Sequence, residues 1–433
     1  MRQYQFSPYM RPRIRILIPL LCLIYSLGQV VLAHAHRLDR EEDYSLEYYQ
    51  QKTLLGDWNG VRSSLHKKGF DLELEYFGDF VGNVVGGGTK KAHAVNYLEA
   101  EILIDAERWI GWTGARFFFL AYGLANTDPS VQINTRQTVS SIEATDTIKL
   151  FESWWEQSLF EGHFSIKAGL YSLDTEFDFK DTANVFVNGV FGTGIDLSEM
   201  GPRGPAIYPL SALGVRLKEE WKGLYLQTAV LDGIPGDPNN PHGTQIVLND
   251  DDGFLIANEI GYKIDAPDHP RLHLGVGAWL YTTELPDIAD STRTKRGRHS
   301  IYGFIDLRLF SETPGNAQGL DAFFRVGVAD KEAGWFKRNI SFGLAYTGLF
   351  PDRDRDVLGF AVSSGWAGDS LRNVSRSNGT PVEDEEVVLE LTYIITPLPW
   401  LVLQPDIQWF IHPGLSPTVD DTLYLGLRAE VIF

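Results

Sequence analysis

Acidic pairs are the residues of this sequence that most resemble catalytic groups. Glu152 and Glu156 could in principle serve as the acid and base of a glycosidase, which needs two carboxyl groups about 5 to 9.5 Å apart. On an extended strand, however, residues four apart are separated by roughly 13 Å. A charged wall facing water therefore explains this pair better than catalysis does.

Metal and nucleotide sites are also poorly supported. The ten His form no HExxH motif and have no Cys partners. Asp250, Asp252, Gly253 and Glu259 fit a calcium-binding loop at its third, fifth, sixth and twelfth positions, but Leu248 stands at the first position and cannot ligate. Neither a GxSxG elbow nor a phosphate-binding glycine motif is present. We therefore expect no enzyme activity, no metal site and no cofactor.

The elements that carry these acids alternate apolar and polar residues with a period of two. In the final segment, Thr422 to Phe433, every second residue counted back from Phe433 is apolar, and the residues between them are largely polar. A strand with lipid on one side and water on the other requires this division. No stretch after residue 35 approaches the roughly 18 consecutive apolar residues of a membrane-spanning helix. If the chain crosses a membrane, it therefore crosses as strands.

About sixteen such segments of about ten residues can be recognised. They are 70–81, 95–106, 114–123, 146–158, 163–171, 213–221, 223–231, 254–263, 271–282, 299–310, 320–328, 338–348, 357–364, 386–396, 400–411 and 422–433. The connections include tight turns and five long stretches rich in Gly, Pro and Asp, namely 124–145, 172–212, 232–253, 283–298 and 365–385. The sequence thus predicts an all-β fold, a transmembrane antiparallel β-barrel of about 16 strands, in which one or more long loops fold inward and narrow the pore.

Inward positions of the predicted strands supply candidate pore-lining residues. Both signs of charge occur there, and such a lumen can bind neutral hydroxylated solutes through directional hydrogen bonds. For each single residue, plain solvation of a water-filled interior is the simpler role. Trp154 and Trp155 are adjacent and must point to opposite sides, so that one of them is a lumen candidate. The candidates are Glu73, Glu75, Glu99, Glu101, Arg116, Trp154, Trp155, Arg216, Lys218, Asp306, Arg308, Arg325, Glu390, Gln404, Asp406, Gln408, Arg428 and Glu430.

The first 35 residues predict a cleaved secretory signal peptide. They contain four Arg and no acid, followed by an apolar run from Ile16 to Leu32 and the sequence Ala33-His34-Ala35. The one Cys, Cys22, lies in this segment without the small preceding residue that a lipoprotein signal requires. We therefore expect an exported chain without cysteine, disulfide or lipid anchor.

Three regions follow from these patterns. Residues 1–35 are the predicted signal peptide, 36–69 a periplasmic N-terminal arm, and 70–433 the barrel domain. Within the arm, Asp57 to Lys68 predicts a short helix that ends at Gly69.

Charge and composition limit the classes of partner that the chain is expected to bind. Without the predicted signal peptide the chain has 34 basic and 57 acidic residues, a formal charge of −23. So acidic a chain has no global electrostatic reason to bind nucleic acid. Aromatic residues make up 12% of the sequence, which suits a barrel with aromatic girdles at the membrane interfaces. We expect localisation in the bacterial outer membrane, contact with lipid and lipopolysaccharide, and recognition of the terminal strand by the barrel assembly machinery.

Several stretches resemble one family in order along nearly the whole mature chain. The sequence is similar to the carbohydrate-selective porin family of OprB type in LLGDWNGVRSSLHKKGFDLELEYFGDFVGN (54–83), VFVNGVFGTG (185–194), YPLSALGVRLK (208–218), AVLDGIPGDP (229–238), AYTGLFPDRDRDVLGFAV (345–362), ELTYIITPLPWLVLQPDIQWFIHPG (390–414) and GLRAEVIF (426–433). The resemblance implies a sixteen-stranded outer-membrane barrel that admits monosaccharides by passive diffusion, with small neutral sugars as solutes. Selectivity would come from a constriction of charged and aromatic side chains.

Three alternatives remain open on the sequence. The chain could be a general porin or one for polyols or sugar acids, an outer-membrane β-barrel enzyme, or a secreted β-rich carbohydrate-binding protein. The sequence also leaves open the preferred sugar, the constricting loop and the oligomeric state, with a homo-oligomer as one alternative.

Overall fold

The structure is a computed structural model. It describes residues 46–200, 204–237, 239–264, 271–286, 293–313, 316–330 and 334–433. The predicted signal peptide and the first part of the predicted arm lie outside the described residues. No helix in the described ranges is long and apolar enough to cross a membrane.

Sixteen antiparallel strands pair side by side and close into a barrel, because the first strand pairs with the last. Two further short strands, β10 and β11, form a separate hairpin in the connection between β9 and β12. The strands are β1 (Phe70–Val85), β2 (Ala92–Asp105), β3 (Ala115–Asn126), β4 (Thr147–Leu159), β5 (Phe164–Tyr171), β6 (Ala212–Trp221), β7 (Leu224–Asp232), β8 (Phe254–Ile264), β9 (Leu272–Tyr281), β10 (Glu284–Pro286), β11 (Thr294–Arg296), β12 (His299–Ser311), β13 (Gly319–Ala329), β14 (Phe336–Thr347), β15 (Val357–Ala367), β16 (Glu385–Leu398), β17 (Leu401–Ile411) and β18 (Thr422–Ile432).

The barrel confirms the predicted fold class. Each of the sixteen predicted segments coincides with a barrel strand, and the largest differences are a few residues at the ends. The hairpin of β10 and β11 was not predicted, since three-residue strands are too short to show a period. The described helices are α1 (Leu46–Lys52), α2 (Val61–Lys67), α3 (Ala106–Ile110), α4 (Pro129–Ile133), α5 (Ile195–Ser198) and α6 (Asp369–Asn378).

The alternation of residues decides which way each strand faces. On β18, Leu425 and Leu427 are exposed on the outside of the barrel, whereas Arg428 and Glu430, which belong to the other face of the strand, are buried inside. The same division holds around the barrel, where the exposed large apolar residues include Ile260 on β8, a strand of the opposite side. The outer surface is thus apolar, as contact with lipid requires.

The interior is largely filled by protein rather than left as a wide pore. Two clusters of buried apolar residues lie inside, and both combine wall residues with residues of the connection between β5 and β6. In one cluster Phe177 and Leu197 of this connection join Trp279 of the wall, and in the other Phe186 joins Phe323. The connection therefore folds into the barrel because its own apolar side chains are buried there.

A lipid-facing lysine should destabilise the barrel far more than one on a loop. Ile407 lies near the middle of β17 and is exposed outward, so Ile407→Lys should lower the free energy of unfolding by about 2–4 kcal/mol, the range for a charge near the bilayer midplane. Urea titration of barrels refolded into lipid vesicles measures this loss. Ile246→Lys, at a comparably exposed isoleucine on the β7–β8 loop, is the matched control and should change little. Equal losses for both variants would contradict the assignment of the outer face.

Candidate functional site

The connection between β5 and β6, residues 172–211, is the longest segment inside the barrel, and we call it the inner loop. Four short helical turns shape its described parts, 172–200 and 204–211. Main-chain N–H groups of this loop donate to carboxylates that project inward from the wall. Val187 N and Asn188 N donate to Glu390 at 2.6 and 3.0 Å, and Thr182 N donates to Asp306 at 2.9 Å. Buried carboxylates thus satisfy backbone donors that would otherwise be costly to bury.

A buried guanidinium fixes the middle of the inner loop. Arg325 on β13 is 0% exposed, and its Nε donates to Asp178 while Nη1 donates to Asp196, both at 2.6 Å. Both aspartates belong to the inner loop. Charge-assisted hydrogen bonds of this kind are short and strong, so Arg325 ties two turns of the loop to one point on the wall.

A second inward segment is the β3–β4 connection, residues 127–146, which we call the crossing loop. It reaches across the barrel to β16, where Glu386 accepts hydrogen bonds from Arg136 N at 3.3 Å and Gln137 N at 3.2 Å. It also binds the seam between β1 and β18, because Ser140 Oγ donates to Asp79 at 2.6 Å. The crossing loop is therefore held at two points of the wall, β16 and the seam, which only β17 separates in the strand order.

The two loops touch each other. Ser141 N of the crossing loop donates to Val187 O of the inner loop at 2.7 Å, and the Tyr208 hydroxyl donates to Ile142 O at 2.9 Å. Between the loops and strands β1, β2 and β4 lies a cavity of about 310 Å³. The loops, rather than the strands, therefore define its shape.

Aromatic rings, hydroxyl and amide groups and charges of both signs line this cavity. The aromatic lining residues are Phe77, Tyr97, Phe151, Phe179, Phe186 and Tyr208. The charged ones are Glu75, Glu99, Arg136, Glu143, Asp174, Lys180 and Glu199. Among the described lining residues, carboxylates therefore outnumber cationic groups.

Arg136 is the cationic lining residue whose side chain is accessible. Its guanidinium lies 4.3 Å from the centre of the Trp335 ring, and Nη1 is 3.6 Å from Glu199 Oε2. The side chain is 36% exposed, whereas Lys180 is buried against Asp178. Apart from this long contact with Glu199, the Arg136 guanidinium makes no hydrogen bond within the described residues. Most of its N–H donors therefore remain available to a solute in the cavity.

Burial changes the acidity of loop carboxyls near the cavity. It raises the pKa of Glu143 to about 7, although hydrogen bonds from Ser130 favour the charged form. Burial also raises the pKa of Glu199. At Glu176 burial acts in the same direction, but the Arg216 guanidinium holds the pKa of that carboxyl well below its usual range.

Seven of the predicted pore-lining residues bind the loops, and two lie on the cavity. Glu75 and Glu99 line it. The residues that bind the inner or the crossing loop are Arg216, Asp306, Arg325, Glu390, Gln404, Gln408 and Arg428. Those elsewhere on the interior wall are Glu73, Glu101, Arg116, Trp154, Lys218, Arg308, Asp406 and Glu430. Trp155 points outward and packs near Trp112, at 6.1 Å between ring centres.

The cavity residues that the sequence did not single out are on the loops. Arg136, Glu143, Glu199 and Tyr208 lie in segments without any period, so alternation could not assign them a direction. The available signal was the length and composition of the two segments, which favoured an inward fold but named no side chain. No group of three or more metal-ligating side chains occurs in the described ranges.

A closed barrel with an apolar outer face, whose inward loops frame a polar cavity, defines an outer-membrane channel of the porin class. The chain belongs to the carbohydrate-selective porin, OprB family, whose sequence profile matches residues 89–433. Porins of this family are channels rather than enzymes.

Known proteins resemble this chain along most of its length. Porin B of Pseudomonas aeruginosa is 23% identical over 425 residues, which cover 88% of this chain and 91% of that protein. The high-pH structure of Pseudomonas putida OprB superposes with a TM-score of 0.80 at 21% identity, covering 90% of this chain and all of that one. The low-pH structure of the same protein gives 0.57 at 17% identity, covering 89% and 99%. At these identities the structural matches support the fold.

Removing Arg325 should release the inner loop. Arg325→Ala leaves Asp178 and Asp196 buried without their cation, and breaking such a buried pair typically costs about 3–5 kcal/mol. We expect faster proteolysis within the inner loop and a larger single-channel conductance. Lys218→Ala removes a more exposed wall pair, Lys218 with Glu220, and should cost about 0–1 kcal/mol with no change in conductance. An unchanged inner loop in Arg325→Ala would contradict the anchoring role.

Proposed function

We propose that this protein lets monosaccharide-sized, neutral sugars diffuse passively across the outer membrane through the cavity between the two loops. The observation that carries the proposal is the cavity itself. At about 310 Å³ it is at the small end of the about 300–1,000 Å³ typical of small-molecule sites, and hydrogen-bonding groups and aromatic rings line it together. Sugars present hydroxyl groups at their edges and apolar C–H groups on their faces, so this mixture suits them.

The orientation that fits this function places the long loops outside the cell. The inner loop, the crossing loop and α6 all lie at one end of the barrel, and the short turns and both ends of the described chain lie at the other. A solute would enter between the loops, lose part of its hydration in the cavity and leave towards the periplasm. No energy source is needed if each binding step is shallow.

The charges of the cavity favour neutral over anionic sugars. Carboxylates outnumber cations among the described lining residues, so a sugar acid would be repelled. Arg136 gives neutral hydroxyl groups a planar set of donors, while Glu75 and Glu99, cross-strand partners on β1 and β2, can accept hydrogen bonds. We propose Arg136 as the main donor for the solute.

Liposome swelling tests the solute class. Vesicles containing the purified protein should admit glucose faster than a disaccharide, a neutral amino acid of similar size and an anionic sugar acid. Equal rates for all solutes of similar size would instead indicate a general porin. A faster rate for the sugar acid would support the alternative of a sugar-acid porin.

Arg136→Ala should reduce sugar selectivity while the barrel remains folded. One net hydrogen bond contributes about 0.5–1.5 kcal/mol, so the glucose rate relative to the neutral amino acid should fall about two- to tenfold. Arg136→Lys should restore only part of the ratio, because lysine lacks the planar fork. Arg116→Ala is the matched control, since Arg116 is similarly exposed but binds Glu156 at the other end of the barrel. An identical loss in both variants would refute a specific role for Arg136.

Glu143 should make ion selectivity depend on pH. Its pKa of about 7 means that the cavity gains a negative charge between about pH 6 and 8, so cation preference should rise over that range. Reversal potentials in a KCl gradient measure this change. The same carboxyl should make the free energy of unfolding fall as pH rises from its ordinary value of 4.5 to about 7, because the unfolded state releases this proton first.

The control for this pH effect is a second glutamate. Glu143→Gln should remove the step in reversal potential, whereas Glu161→Gln, on the exposed turn between β4 and β5, should keep it. A step that persists in Glu143→Gln would assign the titration to another group.

A further inference from the structure

The GDWNGVR stretch of the arm builds a sharp turn that the channel function does not explain. Trp58, Asn59 and Gly60 follow one another with φ of 49°, 58° and 91°, a left-handed backbone that is costly for the first two residues. Asp57 Oδ1 accepts a hydrogen bond from Ser63 N at 2.7 Å across the turn. The turn directs Arg62, the first inward residue of α2, into the protein, where it is 1% exposed.

Arg62 binds main-chain oxygens of the first and last strands together. Nη2 donates to Leu72 O on β1 at 2.9 Å, and Nη1 donates to Phe433 O, just beyond the end of β18, at 2.7 Å. The guanidinium lies over two rings of the arm, 4.4 Å from the centre of Tyr49 and 4.8 Å from that of Trp58. A buried guanidinium that contacts two aromatic rings and is hydrogen-bonded at its edges has a fixed position.

A second contact joins the arm to the same place. Leu54 N donates to Ile432 O at 2.8 Å, which continues the hydrogen bonding of β18 beyond its last barrel partner. Thr53 Oγ1 accepts from Arg62 Nη1 at 3.1 Å, so the segment before the turn and the helix after it are also connected. The arm therefore contacts the ends of both strands at the main-chain oxygens of Leu72, Ile432 and Phe433.

The pairing of β1 with β18 differs from every other pairing in the barrel. All other neighbouring strands are joined by one connection, whereas β1 and β18 are separated by the whole barrel sequence. The entropy cost of bringing two segments together grows with the length of chain between them. An additional contact should therefore stabilise the barrel more at this seam than at any other strand pair.

We propose that residues 46–69, the described part of the N-terminal arm, act as a lock on the seam between β1 and β18, and that Arg62 is the residue that joins the two strands. The arm precedes β1 directly in sequence, so it reaches the seam without a long search once β18 has paired. The inference is independent of which solute the channel admits.

Replacement of Arg62 combined with engineered disulfides tests the lock. Arg62→Ala should lower the temperature at which the folded band is lost on unboiled SDS gels. A disulfide across the seam, Phe80→Cys with Leu427→Cys, should restore that temperature under oxidising conditions, because these residues are direct cross-strand partners. Phe80 and Leu427 are both exposed on the lipid-facing side, so the bridge leaves the interior unchanged.

The matched control places the same bridge elsewhere. Ile260→Cys with Val276→Cys joins β8 to β9 at another exposed cross-strand pair and should not rescue Arg62→Ala. Rescue by both bridges, rescue by neither, or an unaltered melting temperature in Arg62→Ala would overturn the proposal. If Arg62→Ala yields no folded barrel, Arg62→Lys replaces it in the same set of measurements. Lysine keeps the positive charge but lacks the forked guanidinium that reaches both strands.

Permeation separates the lock from the proposed function. In liposomes, Arg62→Ala carrying the seam disulfide should show the sugar selectivity of the unmodified protein. The reason is that the arm lies far from Arg136 in sequence, and its described residues make no contact with that side chain. A loss of selectivity that the disulfide does not repair would assign the arm to the permeation path and overturn its role as a lock.

Discussion

Lipid on one side of every strand is the constraint on which the rest of this structure depends. A strand whose alternate residues must be apolar for lipid presents the remaining half to the interior, where many of them here are charged. Charged groups inside a barrel are expensive unless water or partners surround them. In this protein partners do so, because Glu390, Asp306 and Arg325 each bind the inner loop. The wall thus determines where that loop lies.

Because inward-facing charges of the wall are already paired with the inner loop, wall and loops have different roles. A guanidinium that already binds two aspartates, as Arg325 does, has little capacity left for a passing solute. In the function we propose, chemical selectivity comes from groups that the loops bring in, such as Arg136. The backbone of Arg136 is anchored to Glu386 on the wall, so the wall would contribute by positioning this donor rather than by touching the solute.

The sequence predicted the barrel in detail because period two is a local signal that lipid enforces along each strand. Predicted segment 70–81 appears as Phe70–Val85, and the helix expected over Asp57 to Lys68 appears as a helical turn followed by α2. The loop residues that line the cavity were harder to predict from the sequence. Alternation reports the side of a strand on which Glu390 lies, but it does not report that the backbone of residues 187 and 188 will reach it. That contact depends on how a forty-residue connection folds inside a closed wall.

Tight positioning of Arg136 is compatible with fast passage. A channel must bind its solute weakly enough to release it, so each site should add only a few favourable contacts. Trp335 and Glu199 restrict the guanidinium before a solute arrives, which lowers the entropy cost of forming a hydrogen bond without adding further contacts. In the proposed function, the fixed orientation of these donors would distinguish a hydroxylated ring from another neutral molecule of the same size, while the binding free energy stays small. A donor that is held in place before the solute arrives is therefore compatible with weak binding of that solute.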